Sequence, residues 1–373
     1  MDDTAIDQPS EPAPERGSDG SSAAPARPAP QAPGAAPRLS RSELLRRRVR
    51  DLGLSIEGTP IEKHVKALHA ELDAAGLAFH PPVYLSDEWG CPEGVPIIGV
   101  PFYLARPELA ELEQELTEDL EDEGRIAMYL RHEAGHALNY AYQLYRSAEW
   151  TDLFGSFSRP YFDDYNAAPH SRQFVRHLPG WYAQMHPEED FAETFAVWLT
   201  PDSRWRERYA GTGALPKLEY VERVARELGA KPPVVAPRPP ATDELDVVLA
   251  DYYARRSSAK PVDRIDAFVD GDLRTFFREG EGPPAADLLR KHRAAIAHVV
   301  SDMTGARYEV VRNLLVSLTH RVEALRLASD PASLPVQIAQ VTALVTSLAF
   351  NYTRTGDILG IPAAQEGRGE KHA

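Results

Sequence analysis

The amino-acid sequence predicts a mainly helical α+β fold with a small sheet. Two β-rich segments, residues 82–88 and 95–105, flank the turn-forming residues WGCPEG. Most of the chain after residue 38 instead carries apolar residues at helical spacing. A proline-rich stretch, residues 231–243, divides these helices into two sets. A mixed first part followed by helices alone is therefore the predicted order.

The elements are predicted in chain order as follows. Residues 1–38 consist mainly of Pro, Ala, Ser, Gly and acidic residues, and such a segment buries too little apolar surface to fold, so we expect disorder. A short basic helix and an amphipathic helix should follow, and the strand at 95–105 should lie at a sheet edge because it contains two prolines. The predicted domains are 39–230 and a helical C-terminal region at 244–357, joined by the linker 231–243 and ending in a loose tail at 358–373.

Charge and composition restrict the class of protein. A net charge of −15 argues against a general affinity for nucleic acids, since phosphate backbones are bound by a basic surplus. A single cysteine rules out an internal disulfide framework and fits a reducing compartment. The sequence shows neither a secretory signal nor a run of about 18 apolar residues that would span a membrane. We therefore expect a cytoplasmic protein, whose oligomeric state the sequence does not indicate.

The segment YLRHEAGHALNYAY, residues 129–142, contains a candidate metal site. His132 and His136 are four residues apart, so on a helix they project from one face and can bind one ion. Glu133 lies about 100° further round the helix, where it can reach a metal-bound water as a general base. Together they form the H-E-x-x-H signature of zincins, which predicts Zn²⁺. Gly135 costs about 1 kcal/mol relative to Ala inside a helix, which indicates that a backbone or a substrate approaches closely there.

A tetrahedral catalytic zinc needs a third protein ligand and an open fourth position. The metzincin pattern requires a histidine at position 142, where this chain has Tyr142. AAA-type membrane proteases also carry an HEAGHA stretch, but this chain lacks their nucleotide-binding motif G-x-x-x-x-G-K-[ST]. The remaining source is HPEEDFAETFAVW, where Glu189 and Glu193 are four residues apart on a predicted helix. One of them can bind zinc while the other accepts a hydrogen bond from a ligand histidine.

The two motifs together resemble a known family. HEAGHALNYAY followed by HPEEDFAETFAVWL is similar to the bacterial putative zinc-binding metallopeptidases of the gluzincin group, over a region from about Tyr84 to Arg208. The second helix also resembles the E-F-F-A-E-A-F stretch in the protease domain of lethal-factor-type toxins. The resemblance implies a zincin-like catalytic domain in the first part of the chain. Neither similarity extends to residues 240–373.

The resemblance also implies roles for individual residues. It makes His132, His136 and Glu189 the zinc ligands, with Glu193 supporting them and Glu133 as the general base. A tyrosine seven residues before the third ligand stabilises the oxyanion in the toxin domain, and the same offset gives Tyr182 here. The alternatives for that role are His177 and His186.

The sequence thus predicts a zinc-dependent peptidase that acts on a peptide or protein, with the edge strand at 95–105 as a place where an extended peptide could dock. Two other functions stay open: a non-catalytic helical interaction protein with a structural or vestigial zinc site, and a zinc hydrolase of non-peptide amides. Cys91 could block the metal as a thiolate, although a lone cysteine is usually a small buried residue. Asp163 and Asp164 are expected to be solvated acids rather than ion ligands.

Overall fold

A computed structural model of the chain describes residues 38–161, 165, 167–238, 244–256, 265, 268–356 and 358. The predicted disordered segment before residue 38, the predicted tail beyond residue 358, and residues 239–243 of the predicted linker lie outside this range. Asp163 and Asp164 also lie outside the described residues.

Helices dominate the described chain. They are numbered in chain order as α1 (Arg41–Leu45), α2 (Pro60–Ala74), α3 (Pro107–Thr117), α4 (Glu123–Tyr142), α5 (Ala148–Phe154), α6 (Pro187–Leu199), α7 (Trp205–Arg208), α8 (Leu215–Leu228), α9 (Leu249–Arg256), α10 (Asp270–Phe276), α11 (Ala285–Thr304), α12 (Tyr308–Ala324) and α13 (Leu334–Thr355). Short 3-10 helices lie between them, among them Phe102–Ala105 and Tyr182–Gln184.

The strands form two small sheets. In the first, β1 (Val83–Ser86) pairs in parallel with β2 (Ile98–Pro101). In the second, β3 (Arg278–Glu279) pairs in antiparallel fashion with β4 (Leu327–Ala328). This pair lies in the C-terminal region, so the prediction of helices alone there is wrong for these two short strands. The prediction of a mainly helical α+β fold with a small sheet is therefore confirmed.

The sequence suggests that an extended peptide could dock on the edge of β2, but in the structure part of that edge is already paired. Gly99 donates its N–H to the carbonyl of Gly90 at 2.7 Å and accepts the N–H of Gly90 at 3.3 Å. The chain's own turn thus occupies that edge at Gly99, and the next residue but one, Pro101, has no N–H to offer. The predicted strand also ends there, because residues 102–105 form a 3-10 helix.

Two large hydrophobic clusters hold these elements together. The first gathers buried side chains from α1 to α6 and from α8, and it also includes Leu249, Tyr252 and Tyr253 of α9. The second begins at Ile265 and is built from the helices of the C-terminal region. The change from one cluster to the other thus falls between residues 253 and 265, after the proline-rich stretch that the sequence suggests as the boundary.

The last helix has the length and composition of a membrane span. The segment Pro331–Thr355 reaches a mean hydropathy of 1.4, and 28% of its most apolar stretch is buried. One face of α13 contributes Val341, Val345 and Leu348 to the second hydrophobic cluster. Because core helices of soluble proteins have the same length and composition, the expected absence of a membrane span stays a prediction.

The packing of α4 against α6 brings the two sequence motifs together. A Cβ atom at Gly135 would lie 2.8 Å from the Cα of Ala192 and 3.0 Å from its carbonyl oxygen. It would also lie 3.2 Å from the Cβ of Phe195. The close approach that Gly135 indicates is therefore made by the backbone of α6, and the spacing of the two helices depends on the missing side chain.

We expect Gly135→Ala to force α4 and α6 apart. Over-packing costs about 1–3 kcal/mol, and the higher helix propensity of Ala recovers about 1 kcal/mol of it. The free energy of unfolding in urea should fall, and metal binding should weaken with it. Gly271→Ala, at the exposed start of α10, is the matched control and should be neutral or stabilising, because an added Cβ atom there has no neighbour within 4 Å. Equal stability of the two variants would contradict this view of the packing.

Candidate metal centre

Three side chains converge where α4 meets the first turn of α6. His132, His136 and Glu189 are only 3%, 7% and 6% exposed. The Nε2 atoms of the two histidines lie 3.1 Å apart. The Oε2 atom of Glu189 lies 3.1 Å from Nε2 of His132 and 3.2 Å from Nε2 of His136. These three residues form a group that could hold a metal ion.

The triangle has the dimensions of a small tetrahedral site. Bonds of about 2.0–2.1 Å to a central ion place ligand atoms about 3.3 Å apart in a tetrahedron. The three separations here, 3.1 to 3.2 Å, are close to that value. Two imidazole nitrogens and one carboxylate oxygen are also a donor set found around zinc.

Glu193 orients the ring of His132 through the nitrogen that faces away from the triangle. One carboxylate oxygen of Glu193 accepts a hydrogen bond from Nδ1 of His132 at 2.9 Å. Its other oxygen accepts the backbone N–H groups of His177 at 3.2 Å and Leu178 at 2.9 Å. Because Nδ1 carries this hydrogen bond, Nε2 is the nitrogen turned toward the other two donor atoms. The structure thus places Glu189 in the triangle and Glu193 behind it.

Glu188 plays the corresponding part for His136. Its Oε1 atom lies 3.3 Å from Nδ1 of His136 and also accepts the hydroxyl of Tyr140. The hydroxyl of Tyr161 lies 2.9 Å from the other oxygen of Glu188 and 3.1 Å from Oε1 of Glu189. The Nδ1 atom of each histidine therefore contacts a carboxylate oxygen. The oxygen of Glu189 that faces away from the triangle lies next to the hydroxyl of Tyr161.

The roles of Glu188, Tyr140 and Tyr161 are not evident from the sequence. Glu188 is visible in the sequence only as an ordinary acid in the first turn of a helix. Tyr140 follows His136 by one helical turn, and this spacing could have suggested a contact. Tyr161 lies in an irregular segment, and nothing in the local sequence connects it with a glutamate 27 residues away. Only the fold brings it there.

The charges around the triangle favour a bound cation. Glu133, Glu188, Glu189 and Glu193 are all buried around the two imidazoles. Burial alone would lower the pKa of His132, but its hydrogen bonds to Glu189 and Glu193 outweigh burial and raise the pKa to about 9. In the described part of the chain, neither Lys nor Arg donates a hydrogen bond to any of the four carboxylates. A divalent ion would take the place of the protons that these imidazoles carry without it, and its charge would balance that of the carboxylates.

Glu133 lies next to His132 on α4 and is 6% exposed. Burial raises the pKa of its carboxyl group, and the neighbouring His132 and His136 act in the opposite direction. Its carboxylate therefore sits in the electrostatic field of the ligand group without being one of the three donors.

The three candidates for stabilising an oxyanion are placed differently. The ring of Tyr182 lies 5.6 Å from the ring of His132, centre to centre and edge-on. The Nε2 atom of His177 instead contacts the carbonyl oxygen of Met128 at 2.9 Å. His186 caps α6: its Nδ1 accepts the N–H of Glu188 at 3.2 Å, and its Nε2 contacts a backbone carbonyl at 2.6 Å. Tyr182 is the candidate whose side chain contacts a histidine of the triangle.

Cys91 is not part of the group. Its Sγ atom contacts the carbonyl oxygen of Val95 at 3.3 Å, and burial raises the pKa of the thiol well above its usual range. The ligand atoms that cluster within 4.8 Å of one another belong to His132, His136 and Glu189. The thiolate block considered from the sequence is not supported by this placement.

Comparison of the chain with protein-family models, with curated proteins and with solved structures found no significant match. The resemblance to the bacterial zinc-binding metallopeptidases therefore remains a prediction that rests on the two motifs. The geometry of the centre is independent of that resemblance.

Metal content should separate the two glutamates of the E-x-x-x-E pair. Wild-type protein should bind one divalent ion per chain, and Glu189→Ala should lose it because a ligand atom is removed. Glu193→Ala should keep the site but bind the ion about 10- to 100-fold more weakly. Inductively coupled plasma mass spectrometry and a competition titration measure both quantities.

Glu219→Ala, on the exposed face of α8, serves as the control and should bind like the wild type. Loss of the ion in Glu193→Ala together with full retention in Glu189→Ala would reverse the two roles.

Proposed function

We propose that this protein is a zinc-dependent peptidase of the gluzincin type, with a zincin-like catalytic domain. The observation that carries the proposal is the buried triangle of His132, His136 and Glu189 with Glu133 beside it. A structural zinc site is normally closed by four protein ligands. Only three donors converge among the described residues, which leaves a fourth position for water or substrate.

The supporting contacts also fit a site built for chemistry. Both histidines are fixed by carboxylates, which keep Nε2 of each ring turned inward and raise its basicity. Glu189 uses one oxygen in the triangle while Tyr161 holds the other. Such a pre-arranged set loses little entropy when a metal and a substrate bind.

The chemistry follows from these positions. Held by His132, His136 and Glu189, a zinc ion would supply a Lewis acid able to polarise the scissile carbonyl and acidify the attacking water. Glu133 accepts the proton of that water and passes it to the nitrogen of the leaving amine. The hydroxyl of Tyr182 donates a hydrogen bond to the oxyanion that forms on the carbonyl oxygen.

Cleavage of a peptide library by the zinc-loaded protein tests this proposal. Wild-type protein should cleave, and Glu133→Gln should retain zinc while losing about 10²- to 10⁴-fold in kcat/KM, because the amide cannot accept the proton. Mass spectrometry of the products measures cleavage, and metal analysis confirms the zinc content of both proteins.

The outcomes distinguish this proposal from the two other functions suggested by the sequence. Cleavage that Glu133→Gln leaves unchanged would contradict the role of Glu133. A zinc-loaded wild type that cleaves no peptide would contradict peptidase activity and favour a non-peptide amide substrate or an interaction protein.

A further inference from the structure

A cavity of about 230 Å³ lies beside Tyr182, between the segment that precedes α6 and the start of α12. Tyr165, Pro179, Tyr182 and Met185 line one side of it. The other side is formed by Arg307, Tyr308 and Glu309 of the C-terminal region. The cavity is therefore built jointly by the two parts of the chain.

The cavity adjoins the metal centre through Tyr182. The same side chain lines the cavity and lies edge-on to the ring of His132, at 5.6 Å between ring centres. A residue bound at the metal would therefore have a neighbouring side chain within reach of the cavity. Peptide side chains alternate in direction along an extended segment, so one of those next to the scissile bond can point into it.

The lining favours an uncharged apolar side chain. The hydroxyl of Tyr165 donates to the carbonyl of Gly180 at 3.1 Å, and that of Tyr308 donates to Asp119 at 3.4 Å. Because both hydroxyl groups already have hydrogen-bond partners, the two rings contribute mainly apolar surface to the cavity. Pro179 and Met185 add further apolar area, and Met adapts readily to different side chains.

The charges at the rim balance each other. The guanidinium of Arg307 lies 3.3 Å from a carboxylate oxygen of Glu309. Among the described lining residues, one positive and one negative group therefore lie together at the exposed side of the cavity. The other five of these residues are aromatic or apolar.

Contacts between the two parts of the chain fix the position of the segments that line the cavity. Asp302, near the end of α11, accepts a hydrogen bond from Arg176 at 2.5 Å and one from the N–H of Gly180 at 3.4 Å. The indole N–H of Trp181 donates a hydrogen bond to the backbone carbonyl oxygen of Asp302 at 2.9 Å. A Cβ atom at Gly180 would lie 3.3 Å from the carbonyl oxygen of Ala306. The wall that carries Tyr308 is thus anchored to the segment that carries Tyr182.

We infer that this cavity is the pocket that selects the substrate, and that it takes one large apolar or aromatic side chain next to the scissile bond of a polypeptide. The inference rests on the proposed peptidase function. Its volume of about 230 Å³ is below the range of about 300–1,000 Å³ for pockets that enclose whole small ligands, which suits one side chain rather than a folded segment. It also gives the C-terminal region a role, since Tyr308 makes that region part of the substrate-binding cleft.

Cleavage-site profiling of a proteome-derived peptide library tests this inference. Wild-type protein should prefer Phe, Tyr, Leu or Met over Ala at one position next to the cleaved bond, by about tenfold or more in kcat/KM. Tyr308→Ala should remove most of that preference because one wall is lost, whereas Tyr308→Phe should retain it because the ring stays. Met185→Trp should fill the pocket and shift the preference to small residues.

Tyr352→Ala is the matched control, since Tyr352 is a partly buried tyrosine of the second hydrophobic cluster outside the cavity. It should leave the cleavage profile unchanged even if it lowers stability. A Glu133-dependent profile that Tyr308→Ala and Met185→Trp both leave unchanged would overturn the pocket while leaving the peptidase function intact. Absence of any Glu133-dependent cleavage would overturn the proposed function and the pocket with it.

Discussion

The contact between Gly135 and Ala192 is the constraint on which the centre depends. It lets the backbones of α4 and α6 approach so closely that a single methyl group at position 135 would lie 2.8 Å from the Cα of Ala192. His132 and His136 flank the glycine on α4, and Glu189 precedes the alanine by one helical turn on α6. The donor triangle is thus a direct result of how closely two helices pack. The same approach places Glu188 and Glu193 behind the histidines.

The charges of the centre, like its geometry, are those of a site that could bind a metal cation. Four buried glutamates around two histidines form an arrangement that an apolar interior does not stabilise on its own, because each unpaired buried charge costs several kcal/mol. Protons on the imidazoles compensate part of that charge, as the raised pKa of His132 shows. A divalent ion would replace these protons, because a ligand imidazole is neutral, and would keep positive charge among the carboxylates. The charge of this group thus fits a bound cation.

The elements that the sequence predicts well depend on local patterns. The helices that carry the motifs follow from apolar periodicity, and the pairing of His132 with His136 follows from the helical repeat. The choice of Glu189 over Glu193 as the donor in the triangle comes from the resemblance, and the structure arranges the two residues in that way. These inferences need only the spacing of residues within one helix.

The parts that the sequence does not predict are contacts between distant segments. Tyr161 contacts the triangle from an irregular segment that has no periodicity, and the contact of Glu188 with His136 depends on how α6 packs against α4. The edge of β2 is occupied at Gly99 by Gly90 because the intervening turn folds back on it, and two prolines in the sequence do not indicate this. The place of Tyr308 beside Tyr182 depends on how α11 and α12 pack against the first part of the chain. No motif in the C-terminal region indicates such a role.

X-ray absorption spectroscopy at the zinc edge of the reconstituted protein identifies the donor atoms of the centre. We expect a first shell of nitrogen and oxygen atoms at about 2.0–2.1 Å, with the outer-shell scattering of two imidazoles and no sulfur. A shell that contains sulfur at about 2.3 Å would bring Cys91 into the site and contradict the three-ligand centre. Failure of the reconstituted protein to retain zinc would contradict both the metal centre and the zinc-dependent function proposed for it.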